Sequence, residues 1–287
     1  MVSSRSSTCP HGACAPSRPA AADEAAAVAA AAARLIDAAA RGVPCAPVRD
    51  LIGADDLPSA YAVQAAVAAH RLRGGARVVG RKIGLTSPAV QEQLGVDQPD
   101  FGVLFDDMAF LGGDTVPIDR VTQPRVEAEI AFMLGDDLAE GPLDHAQVRG
   151  AIAWGSAALE VCGSRIADWD ISFADTVADN ASAGAYVIGP RRLSLDAFSP
   201  VEQRMSMSIG GVEVSTGTGA ACLGDPVAAV VWLARTAREL GDPLRAGQLV
   251  LSGALGPMRP VVEGDVVVAR LSGLGAVQVR FGKGERA

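Results

Sequence analysis

Strand-like runs crowd the last two-thirds of the chain, and helices do not alternate with them. Such runs occur at 77–85 (RVVGRKIGL), 126–134 (VEAEIAFML), 157–162 (AALEVC), 184–189 (GAYVIG), 205–214 (MSMSIGGVEV), 248–255 (QLVLSGAL) and 265–281 (DVVVARLSGLGAVQVRF). Two clear helical patterns fall among them. One covers 144–154; the other covers 226–240, with Asp225 as N-cap, Pro226 in the first turn and Gly241 as stop. A further short helix is expected over 88–94, between Ser87 and Gly95. Successive parallel strands need helix-length crossovers, so this order does not fit a regular βαβα fold. Helical periodicity concentrates instead at 23–41 and 59–75, each closed by glycine. The expectation is an α+β protein, with a helical N-terminal part at 23–76 and a β-rich core at 77–287 in one domain. Its sheet should be mostly antiparallel or mixed, and curled. Residues 1–22 show no periodicity and are expected to be a disordered tail; Cys9, His11 and Cys14 lack the fourth ligand of a structural zinc site.

Composition narrows the function. A net charge of −8, with no long basic run, leaves no footprint for nucleic acid. The alanine tract is broken by Asp23, Glu24, Arg34 and Asp37. No other run approaches the length of a membrane span, and the N-terminus lacks the apolar stretch of an export signal. Five widely spaced cysteines therefore read as reduced thiols of a cytoplasmic protein. His70 falls in the last turn of its helix, where a basic group suits the dipole.

Two glutamates within one apolar run, 123–132 (QPRVEAEIAF), are the strongest chemical signal. In a strand, Glu127 and Glu129 project together, while Val126, Ala128, Ile130 and Phe132 project the other way. A half-exposed strand shows the same alternation, so the pattern alone admits a solvated acidic face. Glu160 lies in a second apolar segment, where a lone carboxylate must be neutralised, paired or bound to a cation. Three carboxylates with no suitable histidine or thiol make a hard oxygen site, better matched to Mg²⁺ or Mn²⁺ than to zinc or copper. Such a site leaves coordination positions for a chelating 2-oxo acid.

The stretches 79–105, 123–132, 158–182 and 249–258 closely resemble the 2-oxopent-4-enoate (2-hydroxypenta-2,4-dienoate) hydratases, within the hydratase/decarboxylase branch of the fumarylacetoacetate hydrolase superfamily. The resemblance runs from about residue 40 to near the C-terminus. It implies a mixed β-roll or distorted β-barrel and a single catalytic domain. It also implies a divalent metal, Mg²⁺ or Mn²⁺, held by Glu127, Glu129 and Glu160, with Lys82 and Asp100 as catalytic residues. A homo-oligomer in meta-cleavage degradation of aromatic compounds follows from the same resemblance, as does possible association with a pathway decarboxylase.

The implied substrate is a dienol acid. Protonation at its far end gives a 2-oxo-3-enoate, water adds to the β-carbon of that enone, and C3 is protonated. A metal at the keto oxygen stabilises the enolate, which gives the glutamates a purpose that a surface strand lacks. Lys82 is then a cation near the substrate carboxylate or enolate, or a proton donor; otherwise it is a surface lysine. Asp100 orients Lys82 or moves protons, unless it only caps a turn. Ser252 is a candidate to hold the substrate carboxylate, with a structural turn as its other reading. Arg165 reads as a fold-stabilising salt bridge. The run 175–182 (DTVADNAS) marks the family without showing a chemical role. Arg259 stands where relatives more often carry an aliphatic residue, and an arginine expected near Thr218 is absent, which leaves the substrate tail open. The nearest alternative is a 2-oxo-3-enedioate decarboxylase using the same metal and enolate logic. A dinucleotide-dependent oxidoreductase would rest on Gly217 and Gly219 alone, because Cys222 occupies the third fingerprint position. A non-catalytic scaffold would not need the three carboxylates, the lysine and the aspartate together.

Overall fold

The computed structural model describes residues 21–87, 91 and 96–283. The expected helix over 88–94 lies largely outside them, as do Cys9, His11 and Cys14. The chain opens with helices α1 (Ala21–Arg41), α2 (Arg49–Ile52) and α3 (Leu57–Arg73). The first is already helical at Ala21, the first described residue, and carries Asp23 and Glu24 near its N-terminal end, matching the helix dipole. Asp56 caps α3 by accepting from the Ser59 N–H at 3.1 Å. Ala31, Leu35, Val48, Ile52, Ala60 and Val63 bury one side of this region against Phe173, Ala174 and Val177.

Two sheets follow, and both mix strand directions as expected. The larger runs β2 (Asp100–Phe105), β1 (Val78–Gly84), β10 (Leu249–Leu251), β5 (Arg125–Leu134), β6 (Ile152–Cys162), β7 (Ala183–Ile188) and β3 (Ala109–Leu111), with β11 (Arg259–Pro260) also on β5. The smaller runs β4 (Thr115–Pro117), β13 (Gly275–Gly282), β12 (Val266–Leu271), β8 (Arg204–Ile209) and β9 (Val212–Thr218). The β1/β10, β3/β7 and β13/β4 pairs are parallel; the others are antiparallel. The main core gathers Val126, Ala128, Ile130 and Phe132 of β5, Met205 and Met207 of β8, and Val277 and Val279 of β13. Helices α4 (His145–Ala151), α5 (Phe173–Ala178) and α6 (Pro226–Glu239) complete the chain. Asp225 caps α6 through the Val227 N–H at 2.8 Å, as expected.

Several boundaries differ from the sequence reading. The runs 205–214 and 265–281 are each a hairpin. Gly210 and Gly211, at φ +58° and +85°, supply the tight turn that splits the first. The helix read over 144–154 stops at Ala151, because Ile152 onward joins β6. β10 is only three residues long, since the chain must turn to carry Ser252 and Gly253. Residues Gly219–Glu239 do reach the length and hydropathy of a membrane span, contrary to the reading of the sequence. The α-helical part, however, has 14 residues. That is about 21 Å, short of a bilayer core, and its apolar face is buried. Gly217 and Gly219 form no dinucleotide loop: Gly217 lies in the antiparallel strand β9, Gly219 opens the short turn after it, and a Cβ on Gly219 would lie 1.8 Å from the Pro200 carbonyl oxygen.

Candidate metal centre and active site

Sheet register assembles the site. Glu127 on β5 stands directly opposite Glu160 on β6, while Glu129 faces Ala158. On the other side of β5, Ala131 pairs with Leu251, and Leu251 pairs with Lys82 of β1. Asp100 opens β2 opposite Gly84. Ser252 follows β10 directly, between the strands that carry Lys82 and the glutamates. These residues come from separate parts of the chain and meet because their strands are neighbours.

The acidic face is not solvated. Glu127, Glu129 and Glu160 are 9%, 0% and 0% exposed, Lys82 is 3% and Asp100 is 1%. Like charges opposed across a ladder are destabilising, so a surface-strand explanation fails for Glu127 and Glu160. Lys82 Nζ is 3.2 Å from Glu160 Oε1. Glu129 Oε2 accepts from the Gly253 N–H at 2.8 Å. Gly253 has φ +112°, and a Cβ there would lie 2.3 Å from Thr86 Oγ1, so the contact needs glycine. Glu129 Oε1, both Glu160 oxygens, Asp100 Oδ1 and Ser252 Oγ are buried without a hydrogen-bond partner.

The electrostatics follow from this enclosure. Burial, then the charges of Glu160 and Glu127, hold the Glu129 carboxyl well above the usual range. Burial pushes Glu160 up to about 7 against the pull of Lys82. Burial opposes the Lys82 charge, but Glu160 and the neighbouring acidic groups outweigh it and keep its pKa well above normal. Burial likewise raises Asp100, with Lys82 and a hydrogen bond from Thr176 opposing. Three glutamates and an aspartate thus face one ammonium. Unpaired carboxylate oxygens in a buried, acid-rich cluster fit a divalent cation with oxygen ligands.

Two features of the centre escaped the sequence reading. A thiol does reach it: Cys162 Sγ lies 3.6 Å from Glu127 Oε1. Glu127, Glu160 and Cys162 each present a donor atom within 4.8 Å of the others. The two-residue period that paired Glu127 with Glu129 would also have placed Cys162 beside Glu160.

The second is the role of 175–182. Thr176 Oγ1 donates to Asp100 Oδ2 at 3.2 Å. Asp175 accepts from the N–H groups of Val48 and Arg49, at 2.8 and 2.9 Å, and ties down the N-terminal helices. Asp179 pairs with Arg165, as the salt-bridge reading of Arg165 anticipated. The Asn180 amide clamps both backbone groups of Val103, at 2.7 and 2.9 Å. Asn180, Ala181 and Ser182 all have positive φ, a costly run that these bonds hold in place. Asp100 is therefore a buried strand residue, not a turn cap. Arg259 lies on the surface, its Nε donating to the Val214 carbonyl at 2.7 Å. His70 is an exposed helix-end residue.

Fold and site together define a curled mixed-sheet protein with a buried acidic centre suited to a divalent cation. The chain matches the fumarylacetoacetate (FAA) hydrolase C-terminal family over residues 77–281 and belongs to that family. It is 53% identical over 247 residues to 2-keto-4-pentenoate hydratase of Paraburkholderia xenovorans (strain LB400), covering 86% of this chain and 92% of that one. It is also 53% identical over 249 residues to the TodF product hydratase of Pseudomonas putida (strain F1), covering 87% and 93%. Among solved structures, 4-oxalocrotonate decarboxylase from Pseudomonas putida G7, complexed with magnesium and adipate, aligns with a TM-score of 0.85 at 31% identity. That alignment covers 88% of this chain and 97% of the other.

Proposed function

We propose that this protein is a metal-dependent hydratase of meta-cleavage aromatic degradation, adding water to 2-hydroxypenta-2,4-dienoate to give 4-hydroxy-2-oxopentanoate. The observation that carries the reading is the buried opposition of Glu127 and Glu160, with Glu129 alongside and Lys82 3.2 Å from Glu160. Relatives 53% identical over most of both chains bear hydratase names, whereas the decarboxylase structure is 31% identical.

Mg²⁺ or Mn²⁺ is the cation assigned to the centre, with Glu127, Glu129 and Glu160 as its ligands. When bound, it supplies Lewis-acid stabilisation of negative charge on the substrate's keto oxygen. Lys82 places a fixed positive charge beside the carboxylate or enolate. Asp100 moves the proton, its Oδ2 fixed by Thr176 and its Oδ1 free. The unpaired Ser252 hydroxyl holds the substrate carboxylate. The helical N-terminal part and the β-rich core act as one catalytic unit. Gln64 Nε2 supports this by donating to the carbonyls of Phe101 and Val177, at 2.8 and 2.9 Å. The free thiols Cys45, Cys162 and Cys222 agree with a cytoplasmic setting, and a homo-oligomer with a possible decarboxylase partner follows the family resemblance.

The test is to generate the dienol substrate in situ and follow its conjugated absorbance with Mg²⁺, with Mn²⁺ and after chelation. Metal-dependent decay to a 4-hydroxy-2-oxo acid is expected. No decay, together with CO₂ release from a 2-oxo-3-enedioate, would replace this reading with the decarboxylase.

Thr176→Val gives a graded test of the same assignment. It preserves volume but leaves Asp100 Oδ2 without its donor. A hydrogen bond to a charged group is worth about 1.5 kcal/mol or more, so kcat should fall roughly tenfold with KM little changed. Thr176→Ser should restore most of the loss. Equal kcat in all three proteins would remove Thr176 from the positioning of Asp100.

A further inference from the structure

Cys162 is the donor at the acidic centre for which the hydration reaction has no use. It ends β6 two residues after Glu160, and its Sγ lies 3.6 Å from Glu127 Oε1. The mutual 4.8 Å limit on Glu127, Glu160 and Cys162 is close to what one ion can bridge. Metal–sulfur and metal–oxygen bonds of about 2.3 and 2.0–2.2 Å put two donors at most about 4.5 Å apart. Three donors cannot all lie opposite one another: at trigonal or tetrahedral angles they sit about 3.5–4 Å apart, so a closure of up to about 1 Å brings all three onto one cation. Glu160 Oε2 is buried without a hydrogen-bond partner and is free for such a role, while Oε1 faces Lys82 Nζ at 3.2 Å. Cys162 donates to the Glu127 carboxylate, whereas the thiols of Cys45 and Cys222 donate to backbone carbonyls, of Arg165 at 3.2 Å and of Ser252 at 2.9 Å.

We propose that the centre holds two overlapping donor sets. The oxygen set is Glu127, Glu129 and Glu160. The mixed set is Glu127, Glu160 and Cys162, and it takes a thiophilic divalent cation such as Co²⁺, Zn²⁺ or Cd²⁺ through sulfur. The second set rests on the oxygen-ligand reading above, because the two share Glu127 and Glu160. Sharing makes occupancy exclusive, so a softer ion displaces Mg²⁺ instead of binding beside it. Mg²⁺ keeps to oxygen ligands and sheds water reluctantly, whereas Co²⁺ and Zn²⁺ bind mixed oxygen–sulfur sites more tightly. The sulfur coordinates as thiolate, and its proton leaves to solvent.

The test uses the full chain with Cys9→Ser and Cys14→Ser, because those thiols and His11 offer a competing chelate by sequence. Metal-free protein is titrated with Co²⁺ and watched for sulfur-to-cobalt charge-transfer absorption in the near ultraviolet. Mn²⁺ binding is followed in parallel by electron paramagnetic resonance. The expected result is a band that saturates at one equivalent and is absent from both Cys162→Val and Cys162→Ser, while Mn²⁺ still binds both variants. Stoichiometric Co²⁺ binding without the band, or a band that survives Cys162→Val, overturns the mixed set and leaves the oxygen set standing. A parent protein that binds neither ion overturns the oxygen set, and the mixed set with it.

Discussion

Glu129→Gln should lose hydratase turnover by on the order of 10³-fold or more, and the metal-free protein should become more stable near neutral pH. The two effects share one cause. Glu129 is fully buried, with one oxygen on the Gly253 N–H and the other unpaired. Glutamine keeps the volume and can still accept from Gly253, but it brings no charge to a cation. Without metal, the same charge is a liability. Burial and the neighbouring glutamates raise Glu129 well above its ordinary 4.5, and burial raises Glu160 to about 7. A carboxyl with a raised folded pKa binds its proton more tightly folded than unfolded. Its stabilising contribution is complete below about 4.5 and is lost as pH rises through about 7. The wild-type apoprotein should therefore lose thermal stability across that window and regain it on adding Mg²⁺. The variant should show a flatter pH dependence and no response to Mg²⁺. Thermal unfolding across pH, with and without metal, reads all of this at once. Normal Mg²⁺ affinity, or an apoprotein less stable than wild type, would make Glu129 a structural acid.

The glutamates were legible because strand period and burial cost act locally. Two carboxylates at i and i+2 share a face wherever the strand goes, and an isolated acid in an apolar run demands a partner. The sequence could not reveal that both faces of β5 are buried, since that depends on what packs over each face of the sheet. The opposition of Glu127 and Glu160 is a register between segments separated by a helix, and only turn geometry and packing fix it. Family resemblance, not periodicity, linked Lys82 and Asp100 to the glutamates. The strand 100–105 went unread because Asp and Gly are poor strand formers; β2 exists through pairing with β1 and the Asn180 clamp. The hairpins inside 205–214 and 265–281 were hidden because β-branched residues continue on both sides of their turns. The role of Thr176 had no local signal at all: it meets Asp100 from 76 residues away.

Asp100→Asn should lower kcat by 10²- to 10⁴-fold, the usual range for a positioned proton carrier, while metal affinity and KM change little. Gly84 makes room for this carboxylate: a Cβ there would lie 2.2 Å from Asp100 Oδ1 and 3.3 Å from Lys82 Nζ. Oδ1 and the ammonium therefore border the same small space, while Thr176 occupies Oδ2. Burial raises the proton affinity of Asp100, and Lys82 with Thr176 restrains the rise, so the group can both take up and release a proton. Asparagine fits the same space and can still accept from Thr176, but it cannot carry a proton. The discriminating readout is exchange of substrate carbon-bound hydrogen in D₂O. Asp100→Asn should abolish it while a bound 2-oxo acid still protects the protein thermally. Lys82→Met should behave differently, because it strands Glu160 without its counter-ion and should weaken both stability and substrate binding. Undiminished exchange in Asp100→Asn would move the proton carrier from Asp100 to Lys82 and leave Asp100 as the group that orients it.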